Sequence, residues 1–398
     1  MSLTLTTADA ALKEDYQPAI REQINNAFKV LNQIERNSED VEGRRAVLSL
    51  HVSRNPGAGA RGEGGTLPTA GSQGYAEERV HLRYNYGSIK LSGPVIKAMK
   101  SDKGSFTRAV ESESKGIVND VKRDVNRQVL GTSNGVIAQC AVTSASTTVN
   151  LTSATAVQLR QLGEAMLIDI GTVASPTGVV SGRSITSVGT TSFVISGAAV
   201  TTATTDFVFR SGAGGDGSAQ KELTGLQTII DSTGTVFNVN PSTYATWAAT
   251  ETGSVGLISD LKFEQNIHAV EIAGQSTVDL IITTDGVSRS YASSLQAQKR
   301  FVNSSVLKGG FKALLVQAGG EEIPLMWDRD CPSGVAFGVT TAHLKQHEMS
   351  DWEFMQEDGA VLSRVSGEDA YGATLFKYHE VTTDKRNAHF KMSGITES

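Results

Sequence analysis

The residues of this chain that could do chemistry fall into four small groups. His343 and His347 have the i, i+4 spacing of a helical metal pair, but the residues between them are Leu-Lys-Gln. A zinc hydrolase motif of this spacing carries a Glu there as general base. The flanking sequence also reads as a strand or an edge, which favours a structural pair. Asp328 and Asp330 in WDRDCP have carboxylates that could bind a cation. In a stretch rich in Asp, Pro and Gly, a turn role is favoured. GAGARGEGG and GAGGDG invite a phosphate-loop reading. Neither is followed by Lys-Ser or Lys-Thr, and neither sits between a strand and a helix, so a nucleotide site is disfavoured. Cys140 and Cys331 are far apart in sequence and form no CxxC pair. They read as reduced, structural cysteines of a cytosolic protein rather than as zinc ligands or a disulfide framework. No GxSxG elbow is present. The residues therefore argue for no enzyme, no cofactor and no metal.

The bulk numbers point the same way. A chain of 398 residues accommodates two or three domains. Gly is abundant, Pro and aromatics are sparse, and the formal charge is -6. A dedicated nucleic-acid module concentrates Lys and Arg on one face. Here they alternate with acids, as in Lys122, Arg123, Asp124 and Arg127. The first residues lack the basic start and apolar stretch of a signal peptide. No apolar run approaches the ~20 residues of a membrane span.

The pattern of elements is more informative than any single residue. Residues 46–52 alternate, with Leu48, Leu50 and Val52 on one face. Residues 75–91 alternate again, with Val80, Leu82, Tyr84 and Tyr86 assigned to one face. Between them lies SRNPGAGARGEGGTLPTAGSQG, longer than the ~12–15 residues at which structureless loops become uncommon unless functional. A ribbon of this kind shows no core of its own to cover it, which suggests that it lies on a neighbouring subunit. Arg83 is expected to make only surface ion pairs.

Before the ribbon, residues 1–45 read as an arm. A helix is expected near 18–34, with Ile20, Ile24, Phe28, Leu31 and Ile34 at helical spacing. After the ribbon, a long helix is expected over 101–130. Phe106, Val110, Ile117, Val121 and Val125 form its stripe, Ser101 or Asp102 caps its start, and Gly131 ends it in a left-handed conformation. From about Val142 to Arg210 the chain turns to Thr, Ser, Val and Gly. The short runs TTVNL, AMLIDI, SITSV, SFVISG and DFVFR suggest an inserted β-barrel or sandwich with its own core. A helix–strand alternation follows: LISDLKFEQNIHAVEI, VDLIITT, a helix capped at Asp285, FKALLVQ and EEIPLMW. The chain closes on β-like runs AVLSRV, ATLFKYHEV and AHFKMSGI.

In this order, the elements resemble the tailed-phage major capsid protein with the Hong Kong 97 fold. RQVLGTSNGVIAQ after the long helix, VDLIITT before SRSYASSLQAQKRF, IPLMWDRDCPSG, DAYGATLFKYHEV and KRNAH look like a siphophage-type branch. The resemblance implies an α+β fold. Its parts are an N-terminal arm (1–45), an extended loop (46–90), a peripheral domain with a spine helix (91–135), an inserted β-rich domain (136–215), an axial domain (216–351) and a C-terminal β return (352–398). It implies pentamers and hexamers closing into an icosahedral shell around double-stranded DNA, held non-specifically. The implied setting is the virion, assembled in the host cytoplasm. Portal, scaffold or protease and a decoration protein are the implied partners, with no membrane. Inter-subunit contacts would involve Leu48, Leu50, Val80, Leu82, Tyr84, Tyr86, Ile24 and Phe28. The type member of the fold crosslinks a loop Lys to a neighbour's Asn. Here no Lys occurs between Val47 and Ile89, and Lys90 stands at the loop base, so covalent chain-mail is not expected. An encapsulin-like compartment of the same fold is the alternative function.

Overall fold

The computed structural model describes residues 29–38, 41–42, 45–94, 103–215, 220–297, 304–306, 312–318, 320–356 and 363–397. Ile20, Ile24 and Phe28, with most of the expected arm helix, lie outside the described residues, as does the Ser101 or Asp102 cap. The end of the arm stripe is visible. Residues Leu31–Gln33 form one 3-10 turn rather than an α-helix. Val30, Leu31 and Ile34 are buried in the main core of this chain.

That core lies between the long helix Lys103–Leu130 and a sheet organised by one strand, Ala370–Thr383. At 1.5 Å per residue the helix is about 42 Å long. Its inward side carries Val118, Val121, Val125, Val129 and Leu130. Ser114, where the apolar stripe skips, is also buried. Ala370–Thr383 pairs antiparallel over ten residues with Arg83–Ser92, and also with Leu344–Glu348 and Glu353–Phe354. The helix reaches this sheet because Gly87 has no side chain. A Cβ there would stand 2.6 Å from Val121 Cγ2 and 2.9 Å from Ile117 Cγ1. The expected left-handed stop at Gly131 is not used. Gly131 N–H donates to the Gln128 carbonyl at 3.1 Å, and the left-handed residues are Ser133 and Gly135. The loop needs its turn later because the Val136–Gln139 strand starts at once.

That strand opens the inserted β unit. Its six strands follow the order Val136–Gln139, Phe207–Arg210, Leu167–Thr172, Ser175–Val188, Ser192–Ile195, Thr148–Asn150. The two ends of this row meet. Cys140 bridges Leu151, Ala141 N–H donates to the Asn150 carbonyl at 2.8 Å, and Thr152 N–H donates to Gln139 at 2.9 Å. The sheet thus closes on itself, which removes its edges. Ile168, Ile170, Phe193 and Val208 fill its core. A short helix, Ala156–Gln161, is started by a Thr155–Gln158 capping box.

The remaining α/β portion has a seven-stranded sheet in which Leu280–Thr283 lies between Ala336–Val339 and Glu321–Trp327. Helices Asp260–Gly274 and Asp285–Ala297 cover it through Phe263, Ile267, Val287 and Tyr291. The cap of the second helix is Thr284, not Asp285. Thr284 Oγ1 accepts from Val287 N–H at 3.2 Å, while Asp285 pairs with Arg289 at 2.9 Å one turn on. Among the described residues, no helix is long and apolar enough to cross a membrane.

Candidate assembly interface

The ribbon is two strands, Arg45–Ser53 and Gly74–His81, paired antiparallel from Arg45↔His81 to Ser53↔Gly74. The second strand does not run on as expected. It breaks at Leu82, and Arg83–Ser92 begins a separate strand that belongs to the sheet of Ala370–Thr383. The break shifts the alternation by one residue. Val80 and Leu82 are buried before it, and Asn85, Gly87, Ile89 and Leu91 after it. The expected shared face of Val80, Leu82, Tyr84 and Tyr86 is therefore corrected. Tyr84 and Tyr86 point to the opposite side, 50% and 52% exposed. In a strand, a shift of one position moves every side chain to the other face.

The root of the ribbon is covered by its own chain, contrary to the expectation that it has no core. Ala46, Leu50 and Val80 are buried. Leu50 packs with Val239 and Trp247, and Val52, Ala76, Phe237 and Tyr244 complete the cluster. Leu48 is half-buried. The docked segment is held by Arg79 N–H donating to the Phe237 carbonyl at 2.9 Å and Thr246 Oγ1 donating to the Val52 carbonyl at 3.1 Å. Phe237 and Asn238 adopt φ of 50° and 71°, an unfavourable region for a residue such as Phe. Glu78, opposite Leu48 in the register, is completely buried on this apolar face.

The far end of the ribbon is different. The loop between the strands is organised by its own polar groups. Asn55 Nδ2 donates to the Gly71 carbonyl at 2.9 Å, and its Oδ1 accepts from Gly57 N–H at 2.7 Å. Arg61 Nε donates to the Thr66 carbonyl at 3.0 Å. Leu67 is 81% exposed and Tyr75 63%. Nothing described in this chain covers that tip.

A second exposed feature lies on the face that carries Tyr84 and Tyr86. Tyr378 stands edge-on to both rings, with centroids 5.0 Å from Tyr84 and 6.2 Å from Tyr86, and Phe376 lies 5.0 Å from Tyr378. These four rings form an aromatic patch across two paired strands. Partial burial and the Tyr378 hydrogen bond hold the Tyr86 hydroxyl above its usual range.

Arg83, expected on the surface, instead donates through Nε to Glu380 Oε2 at 3.0 Å and through Nη1 to the Gln220 carbonyl. Glu380 is fully buried and also accepts from Thr224 N–H at 2.7 Å and Val381 N–H at 3.0 Å. Burial pushes its carboxyl up to about 7, against the pull of Arg83. Lys90 pairs with Glu368 at the surface.

The groups with metal-like spacing are built into the framework. His343 Nδ1 lies 2.8 Å from Asp384 Oδ1, and His347 is buried on the Leu344–Glu348 strand. Asp328 and Asp330 both accept from Asn126 Nδ2 of the long helix, at 2.9 and 2.8 Å. Asp330 N–H also donates to Asp328 Oδ1 at 2.9 Å, closing the turn. Among the described residues, no group of three or more His, Cys, Asp or Glu could hold a metal ion. Both cysteines are buried free thiols.

Sequence reasoning passed over Tyr378, Phe376 and Glu78. Glu78 left a readable signal, since a Glu stands at an inward position between Ala76 and Val80. The aromatic patch left none, because the pairing of Arg83–Ser92 with Ala370–Thr383 spans nearly 300 residues.

No family model matches the chain, and no curated protein matches it. Solved structures do. The capsid subunit of cyanophage A-1(L) is similar at 11% identity with a TM-score of 0.59, over 93% of each chain. An encapsulin from Synechococcus elongatus is similar at 6% identity and 0.49, over 92% of this chain and 86% of that one. The capsid protein of a GTA particle is similar at 9% and 0.48, over 93% and 91%. With its α+β build, long helix, ribbon, closed β insertion and mixed sheets, the chain has the Hong Kong 97 fold of tailed-phage major capsid proteins.

Proposed function

We propose that the chain is the major capsid protein of a tailed double-stranded DNA bacteriophage, assembling as pentamers and hexamers into an icosahedral shell. The observation that carries this reading is the ribbon. Its root is buried on its own chain, while its tip, with Leu67 and Tyr75, is exposed. The four-ring patch around Tyr378 is a second surface that a monomer has little reason to present. One chain that covers many equivalent positions needs such self-complementary surfaces. Similarity of fold to a capsid subunit over 93% of both chains supports the reading.

In this reading the long helix and the sheet of Ala370–Thr383 make the peripheral domain. The seven-stranded sheet makes the axial domain at the five- and six-fold axes. The closed barrel is an insertion on the outer surface. Of the expected contact residues, Leu50, Val80 and Leu82 serve the chain's own core and Leu48 is half-buried, which leaves Tyr84 and Tyr86, with Ile24 and Phe28 of the arm, for the neighbour. DNA is enclosed rather than read, in keeping with a charge of -6. Portal, scaffold or protease and decoration proteins are further partners, met in the host cytoplasm before the virion is complete.

Expression with the products of its neighbouring genes, followed by negative-stain microscopy and nucleic-acid analysis of native particles, tests the proposal. Closed shells that enclose DNA are expected. A monodisperse monomer under every condition overturns it. Shells that hold an enzyme and no genome establish the encapsulin alternative.

A further inference from the structure

The ribbon root contains two buried polar groups that its packing does not satisfy. Neither carboxyl oxygen of Glu78 has a hydrogen-bond partner, and neither does the indole Nε1 of Trp247 in the same docked layer. Glu78 lies on the inward face of its strand, with Ala76 and Val80 two residues to either side and Leu48 opposite. The segment it docks against carries the unfavourable Phe237 and Asn238 backbone. A buried carboxylate without partners strongly disfavours the closed arrangement, whereas a buried carboxylic acid is tolerated. Next to this root the chain has a natural pivot. The strand breaks at Leu82, and the following residue is anchored by Glu380 and by the pairing of Arg83–Ser92 with Ala370–Thr383.

We propose that Glu78 is a proton-operated latch. While its carboxyl carries a proton, the ribbon root stays docked on the 236–247 segment. When the proton leaves, the root lifts off and the ribbon swings about the Leu82 break.

The charged groups nearby do not neutralise it. On its own strand, Glu77 and Arg79 pair with each other on the outward face at 2.8 Å. On the facing strand, Arg45 stands opposite His81. Beyond the Ala370–Thr383 strand, Asp384 is held by His343, and Glu380 is held by Arg83. Under the docked segment, Glu251 pairs with Lys391, and the buried Arg386 directs its donors to the carbonyls of Thr228, Ile229, Thr233 and Gly234. Burial, reinforced by the like charge of Asp384, pushes the Glu78 carboxyl up to about 8 from 4.5. A raised carboxyl favours the docked state fully below the ordinary value. That advantage is lost as pH climbs to about 8 and changes no further above it. Each pH unit inside the window shifts docking by about tenfold.

Hydrogen exchange of the Arg45–Ser53 and Gly74–His81 amides in the full chain tests this. Rates are corrected for intrinsic base catalysis and followed from about pH 5 to about pH 8. The wild type should open about tenfold more per pH unit. Glu78→Gln should lose the wild-type slope below about pH 6, keeping only the smaller change that Glu380 at the pivot contributes near pH 7, and be as closed as the wild type in acid. Asp384→Asn, which removes the like charge, should move the midpoint to lower pH. A flat wild-type profile, or a Glu78→Gln profile with the wild-type slope, overturns the latch. If Glu78→Gln does not fold, an Asp384→Asn midpoint identical to the wild type overturns it instead. The readout is the subunit's own ribbon, so a chain that never forms shells still decides the question.

Discussion

Arg83 and Glu380 form a 3.0 Å ion pair in which the acid is fully buried and the base is about one-fifth exposed. It fastens the strand after the ribbon to the 14-residue strand Ala370–Thr383 and, through Thr224 N–H, to the chain leaving the barrel. Removing one partner of such a pair leaves a charge without compensation, whereas an exposed pair contributes little. Because Glu380 takes up a proton near neutrality once Arg83 is gone, Arg83→Ala is expected to cost about 1–2 kcal/mol near pH 7, from its lost hydrogen bonds, and more as pH rises further. The deficit should shrink in acid. With its carboxyl already raised to about 7, Glu380 contributes stability that is complete below 4.5 and lost as pH rises through 7. Without Arg83 that loss deepens. Denaturant midpoints for wild type, Arg83→Ala and Arg83→Ala/Glu380→Gln across this range check the sign, and the double variant should recover most of the loss above neutrality.

The two sides of the Leu82 break should respond differently. Leu82 is buried, so Leu82→Ser should lower subunit stability by about 2–4 kcal/mol. Tyr84→Ser/Tyr86→Ser removes two half-exposed rings and should leave the melting temperature within a few degrees of wild type while sharply reducing particle yield. Calorimetry of the subunit and particle counts from micrographs separate the two effects.

Two glycines touching the long helix predict opposite outcomes. A methyl at Gly87 would press on Val121 Cγ2 at 2.6 Å and on Ile117. Gly87→Ala should destabilise by about 1–3 kcal/mol through overpacking. At Gly116, in the helix itself, a Cβ meets nothing within 4 Å, and Gly116→Ala should stabilise by about 0.5–1 kcal/mol. Thermal unfolding of the two variants side by side is the check.

The barrel should be removable only at the right place. A Cβ at Gly135 would lie 2.9 Å from the Ala213 carbonyl oxygen, so entrance and exit touch there. Joining 135 to 213 with a short Gly/Ser bridge should leave a folded remainder. The cut at Val142 suggested by composition would strand Val136–Gln139, whose partner is Phe207–Arg210, and should give insoluble protein. The Arg210–Asp124 contact of 3.6 Å is lost in both, so it does not bias the comparison. Soluble yield and circular dichroism distinguish the outcomes.

By itself the sequence determined what local periodicity can encode. The long helix, the helices Asp260–Gly274 and Asp285–Ala297, the short barrel strands and the first ribbon strand follow from spacing and turn residues within a few positions of each other, whereas the cap at Thr284 and the break at Leu82 do not. The order of these elements was enough to carry the resemblance of fold. Long-range pairing was left to the tertiary structure. Alternation along 75–91 is the same whether the strand is continuous or broken, and only pairing with Ala370–Thr383 places Tyr84 and Tyr86 beside Tyr378 and buries Arg83 against Glu380. The closing of the barrel through Cys140 and Leu151, and the joint hold of Asn126 on Asp328 and Asp330, likewise join residues that nothing in the intervening sequence links. A side chain's neighbours along the chain fix only its place in the local alternation. Which surface it meets depends on strand register and packing, and these are set by the whole fold.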